Sequence, residues 1–146
     1  MEHKIEELPA YDVAVAIVVK NKRVLLEYDD DWRAFSFPMS KRREGETWEY
    51  AAARAAAEAI GILSRPEELF SLPDTEVSWR DMKIKRYNLK FFLCDPVEGD
   101  VTPIKTVVWI SIDLVADKRK PVEPIPPSTR QFAQELISQC ISILER

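Results

Sequence analysis

Histidine is almost missing from this 146-residue chain: His3 is the only one, and it stands near a terminus. Zinc sites built on imidazole and Ser–His triads are thereby excluded. Cysteine is nearly as scarce. Cys94 sits in an apolar strand-like run and Cys140 in an apolar helical stripe. With no signal peptide ahead of them, both read as reduced core residues of a cytoplasmic protein, not as a disulfide framework. Long apolar runs are absent too. The longest, Val13 to Val19, falls far short of the roughly 20 residues a membrane helix needs. Neither sign of charge dominates, and a net charge of -4 gives no support for nucleic-acid or membrane binding. No internal repeat and no second domain are visible. Size and a hydrophobic content of 46% suit one domain over residues 1–146, with 1–10 as a loose lead-in.

What is present alternates between strand and helix signals. Asp12 to Val19 is nearly continuous in apolar character, the pattern of a strand buried on both faces. A polar turn at Lys20-Asn21-Lys22 leads into Arg23 to Tyr28 as its hairpin partner. Asp29, Asp30 and Asp31 lack the alternation of a calcium loop and read as a solvated turn. Leu63 to Glu68 reads as a loop around Pro66. Leu69–Leu72 and Thr75–Trp79 read as strand segments parted by Pro73-Asp74. Alternation then resumes from Met82 to Leu93, changing phase near Lys85-Arg86, which predicts a bulge or turn there. Arg80, Lys83, Lys85, Arg86 and Lys90 make this the most basic region, either an exposed sheet face or a phosphate contact. Thr106 to Ile112 is a further strand. After a proline-rich connector, Ser128 with Gln131 predicts a capping box for a terminal helix. Its stripe of Phe132, Leu136, Ile137, Cys140, Ile141 and Leu144 is core or a homodimer surface.

Between these parts lies FPMSKRREGETWEYAAARAAAEAIGI, residues 37–62. A strand-end over Phe35 to Pro38 enters a charged loop. Thr47 is placed to cap a helix, Glu49 suits its first turn, and Gly61 suits its left-handed end. Arg54 and Glu58 stand four apart, an ordinary helix-surface pair. Lys41, Arg42 and Arg43 form a solvated run that attracts anions if a phosphate site lies beside it.

This stretch resembles the Nudix box, G-x5-E-x7-R-E-U-x-E-E-x-G-U with U aliphatic. Glu46, Arg54, Glu58, Gly61 and Ile62 fall in register. Ser40 stands in place of the glycine, Met39 replaces another small residue, and Ala55 and Ala59 replace two of three helix glutamates. The resemblance implies an α+β chain folded as an α/β/α sandwich with a mixed β-sheet. Its box helix would span about 47–60 and its C-terminal helix about 128–145. It also implies hydrolysis of a nucleoside diphosphate linked to another moiety, assisted by Mg²⁺ or Mn²⁺. Glu58 would bind the metal, Glu46 and Arg54 would brace the loop, and Lys41, Arg42 and Arg43 would attract the substrate. Carboxylates at i, i+3 and i+4 share a helix face, so Ala55, Glu58 and Ala59 are expected to line one metal-facing patch. A single glutamate anchors one hard cation but not a cluster. A Nudix-fold domain that binds a nucleotide or a protein without efficient hydrolysis is therefore the alternative. Glu98 and Asp100 are available as extra acids, though no motif selects either.

Overall fold

The computed structural model describes residues 10–30, 33–61, 63–78, 84–96, 105–117 and 127–145. Two four-stranded sheets form the middle layer. The first takes the order β5-β1-β7-β6, built from β5 (Met39–Lys41), β1 (Ala10–Ile17), β7 (Ile84–Pro96) and β6 (Ser64–Ser78). It is mixed, because β1 runs parallel to β7 and antiparallel to β5. The second is antiparallel and centred on β3 (Arg23–Asp29). It pairs with β2 (Val19–Lys20) and β4 (Ala34–Ser36) along one edge and with β8 (Val107–Ser111) along the other.

Residue size sorts the two outer layers. On β1, Val13, Val15 and Ile17 face one way into a core of large side chains. Ala14 and Ala16 face the other way, against α1 (Trp48–Ile60). That helix presents Ala51, Ala52, Ala55, Ala56, Ala59 and Ile60 to the sheets, so its backbone seats closely on small partners. The opposite layer is α2 (Ile112–Ala116) and α3 (Pro127–Cys140), followed by a 3₁₀ turn over Ile141–Glu145. Phe91 anchors that side, stacked on Phe70 at 4.4 Å and edge-on to Phe132 at 5.4 Å. The chain is thus an α/β/α sandwich of α+β class, as expected.

Local signals are realised closely at α1. The Thr47 hydroxyl accepts from the Tyr50 N–H at 3.1 Å. Gly61 ends the helix at φ 75°, its N–H donating to Ala57 O at 2.8 Å. A second turn is equally local. Asn21 and Lys22 both take positive φ, 52° and 61°, the geometry that lets a two-residue turn match strand twist.

Long-range pairing departs from the sequence reading. The expected hairpin of Asp12–Val19 with Arg23–Tyr28 reduces to Val19↔Val24 and Lys20↔Arg23, because β1 belongs to the other sheet. The loop expected at Leu63–Glu68 becomes strand from Ser64 onward. β6 lies on a sheet edge, where the missing Pro66 N–H is tolerated. Pro73-Asp74 does not divide that strand; it makes a register shift between Leu72 and Thr75, with Asp74 at φ 52°. No irregularity falls at Lys85-Arg86, where the ladder to Val77 and Glu76 is regular; the bulges are carried by β6. The terminal helix begins at Pro127, so Ser128 lies in its first turn instead of capping it, and the last turn is 3₁₀. The α3 stripe is committed to the core through Phe132, Ala133 and Leu136, while Ile141 is exposed. α2 had no sequence signal. His3, Trp32, Ile62, Trp79, Arg80, Lys83, Glu98, Asp100 and most of the connector lie outside the described residues.

Candidate functional site

The charged loop is held by a closed set of polar contacts. Arg54 donates to both Glu46 oxygens, at 2.8 and 3.3 Å, and to Lys41 O at 2.8 Å. Glu46 Oε1 also accepts from the Arg43 N–H at 3.0 Å. The Arg54 guanidinium holds the Glu46 carboxyl below its usual range, with the Arg43 N–H adding to the effect. Gly45, at φ +78°, supplies the left-handed residue that folds the loop back toward the helix.

Arg42 turns away from the loop mouth. It donates twice to Asp12 Oδ2, at 2.6 and 3.2 Å, and once to Glu46 O at 3.1 Å. It also lies over the Trp48 ring, 5.2 Å from its centroid. Asn88 donates to Asp12 Oδ1 at 3.1 Å. The Arg42 hydrogen bonds hold Asp12 below its ordinary value against the opposing effect of burial. Lys41 Nζ sits 4.2 Å above the Tyr11 ring. Of the three basic residues, Lys41 and Arg43 are exposed and Arg42 is partly buried. In the basic region of β7, Lys90 pairs with Glu68 at 3.2 Å, and Arg86 pairs with Asp74.

The single patch expected for Ala55, Glu58 and Ala59 is not formed. Glu58 is half-exposed and 4.0 Å from Arg54. Ala55 and Ala59 point into the core, 2% and 0% exposed, among Ala14, Ala16, Phe92 and Cys94. A helix seated on a sheet turns positions i and i+4 inward together, and i+3 falls on the shoulder. Among the described residues, no group of three or more His, Cys, Asp and Glu side chains stands ready for a metal. The helix by itself therefore does not fit a metal cluster.

A second carboxylate faces the same helix, one the sequence reading passed over. Glu27 lies mid-β3, flanked by Ser36 of β4 and Val107 of β8, and is 9% exposed. Leu25, two residues earlier on the same strand face, packs with the α1 alanines, and so does Val107. Glu27 Oε2 is buried and forms an ion pair with Lys105 Nζ at 3.6 Å, a separation long for a hydrogen bond. Burial pushes the Glu27 carboxyl up. The Lys105 charge opposes this, and the nearby Asp29 and Glu58 charges add to it. The available signal was a glutamate ending the apolar run Val24-Leu25-Leu26. Glu27 is therefore a buried carboxylate whose charge is met by Lys105.

Stability reports directly on this group. With its folded value raised, Glu27 binds a proton more tightly in the folded chain than in the unfolded one. Its stabilising contribution is complete below the unfolded glutamate range and is lost as pH rises through the folded value. Glu27→Gln should therefore be more stable than the natural chain at pH 7, by about 1 kcal/mol, because burial costs the charged carboxylate more than its ion pair with Lys105 returns. That advantage shrinks on acidification toward the ordinary glutamate range. Urea titrations at several pH values read it, and an equal difference at every pH would refute it.

Cys94 and Cys140 are free thiols. Burial pushes Cys94 up to about 11, leaving it unreactive, and also raises Cys140.

The geometry has counterparts among solved structures. A MutT protein from Methanosarcina mazei Go1 superposes with a TM-score of 0.67 at 20% identity, covering 90% of this chain and 96% of its own. A MutT NUDIX hydrolase from Burkholderia pseudomallei gives 0.66 at 17% identity, covering 88% and 98%. The chain has the Nudix fold. An ADP-ribose pyrophosphatase from Streptococcus suis shares it, with a TM-score of 0.60 at 14% identity over 87% of this chain and 91% of that one. No protein-family model matches the sequence, and no curated protein matches it significantly. Within the Nudix fold, the loop–helix unit occurs here with its Glu46–Arg54 pair formed and its inner face closed by alanine. No helix of the described residues is long and apolar enough to cross a membrane.

Proposed function

We propose that this chain is a Nudix-type pyrophosphohydrolase of the cytoplasm. Its substrate would be a small molecule in which a nucleoside diphosphate is linked to another moiety. The observation that carries this reading is the loop–helix unit, closed by Glu46, Arg54 and the Lys41 carbonyl, with Glu58 half-exposed one turn further along. Glu58 is the helix residue that would hold Mg²⁺ or Mn²⁺, and such an ion supplies phosphoryl polarisation and water activation when bound. Glu46 and Arg54 act as positioning residues by fixing the loop against the helix. Lys41 and Arg43, both exposed, draw the negatively charged substrate toward the loop. Arg42 serves the loop's structure through Asp12 and Trp48.

A second reading has its own observation. Ala55 and Ala59 are sealed in the core, which favours a Nudix-fold domain that binds a nucleotide or a protein partner with little hydrolysis. A panel of nucleoside diphosphate derivatives, assayed with Mg²⁺ and with Mn²⁺, separates the two. Hydrolysis predicts metal-dependent product, reduced about 100-fold or more in Glu58→Gln, the scale of losing a group that acts on the transition state. Product equal in both proteins, or none from either folded protein, supports the binding domain.

A further inference from the structure

We infer that Asp12 and Asn88 are positioning residues for the charged loop, joining Arg42 to the far edge of the first sheet and so fixing where the exposed Lys41 and Arg43 stand. This role rests on reading Lys41 and Arg43 as the groups that draw in substrate, and it adds residues from outside the loop–helix unit. The hydrogen bonds form an unbroken line across the sheet. Glu46 O accepts from Arg42, whose guanidinium also donates twice to Asp12 Oδ2. Asp12 Oδ1 accepts from the Asn88 amide at 3.1 Å, and Asn88 Oδ1 accepts from the Asp74 N–H at 3.0 Å. Asp74 pairs in turn with Arg86. The line thus starts in the loop after β5, crosses β1 and β7, and ends on β6.

Strand pairing explains why these residues meet. Asp12 stands opposite Asn88 in the parallel β1–β7 ladder, and the Arg42 N–H donates to Asp12 O at 2.8 Å just past the end of β5. Asp12 shares its strand face with Ala14 and Ala16, and there polar groups take over from the alanine seat of α1. On β6, the register shift between Leu72 and Thr75 takes Asp74 out of the ladder, and Asn88 meets the backbone N–H left over. Each polar group on the line is satisfied by the next, the condition under which such a network is rigid. Arg42 lies between Lys41 and Arg43 in the chain. Holding its guanidinium and its N–H therefore fixes the backbone from which both exposed cations extend. The Glu46–Arg54 pair ties the loop to the helix; Arg42, Asp12 and Asn88 tie it to the sheet.

Amide ¹H–¹⁵N spectra of the full chain test this. Asn88→Ala should shift the Arg43 and Glu46 amides, whose own hydrogen bonds close the loop on itself and involve neither Asn88 nor Asp12. Asn88→Asp keeps the acceptor for the Asp74 N–H but turns the donor to Asp12 into a like charge, and should shift them further. In an Asp12→Ala background, Asn88→Ala should leave them where they were, because the line is already cut; independent losses of stability would add instead. Glu68→Gln, on the same sheet but off the line, should not move them. Circular dichroism confirms folding of each variant. On the nucleotide panel, Asn88→Ala should raise KM about 2- to 30-fold, the range for residues acting through a network, with kcat changed less. Arg43 and Glu46 amides unmoved by both Asn88 substitutions, or an unchanged KM in an active chain, overturn the inference. Shifted amides with no turnover from the natural chain would keep Asp12 and Asn88 as positioning residues of the loop and reject hydrolysis. Turnover with unmoved amides would do the reverse.

Discussion

Ala59→Glu is expected to cost about 3–5 kcal/mol at pH 7, the scale of leaving an uncompensated charge inside a protein. Ala59 is 0% exposed and packs among Ala14, Ala16, Phe92 and Cys94. None of these side chains carries a charge to meet the new one. Residue size worsens the fit, because the alanine face lets the α1 backbone approach the sheet closely, and a longer side chain forces the layers apart. Guanidinium unfolding at neutral pH measures the loss. The deficit should narrow at acid pH as the introduced carboxyl takes up a proton. Ala53→Glu, on the partly exposed shoulder of the same helix, is the control and should change stability by no more than about 0.5 kcal/mol. Near-natural stability for Ala59→Glu would show that this face opens to solvent and is not the closed seat of the helix. Restoring the box acids is therefore a test of folding before it is a test of catalysis.

Phe91→Ala should cost a similar amount on the opposite face of the sheet, about 3–5 kcal/mol. Phe91 is fully buried at the centre of the large-residue core. Its ring joins three elements: it belongs to β7, stacks on Phe70 of β6 and meets Phe132 of α3 edge-on. Truncation removes both ring contacts at once and leaves a cavity that β6, already bulged at Glu68/Phe70, cannot close without moving the α3 layer. Thermal unfolding should fall by about 10 °C for a chain of this size. Phe70→Ala, nearer the surface at 9% exposure, should cost less. Equal losses for the two would mean that the stack, and not the three-element junction, carries the energy.

The structure also alters how the basic loop is understood. Lys41, Arg42 and Arg43 are alike in sequence and unlike in surroundings. Arg42 is spent on Asp12, Glu46 O and Trp48, because its planar fork can satisfy several acceptors while its face covers a ring. Of the three, only Lys41 and Arg43 are left exposed.

The sequence by itself determined the features whose causes lie within a few residues or one helix turn. Thr47 and Gly61 bound α1 because a cap hydroxyl and a left-handed glycine act on neighbouring backbone groups. The Asn21-Lys22 turn is local for the same reason. The Glu46–Arg54 pairing was legible through the box resemblance and is formed. Tertiary structure decided the rest. A strand carries no label for its partner, so only the folded sheets show β1 beside β5 and β7, and β3 between β4 and β8. Pro66 could join a strand only because β6 fell on an edge. Ala55 and Ala59 look like lost acids in sequence, and burial makes them the close-packed seat of the helix. Glu27 looked like one more strand residue until the second sheet buried it beside Lys105. Side chains 78 positions apart in the chain are brought together only by long-range packing.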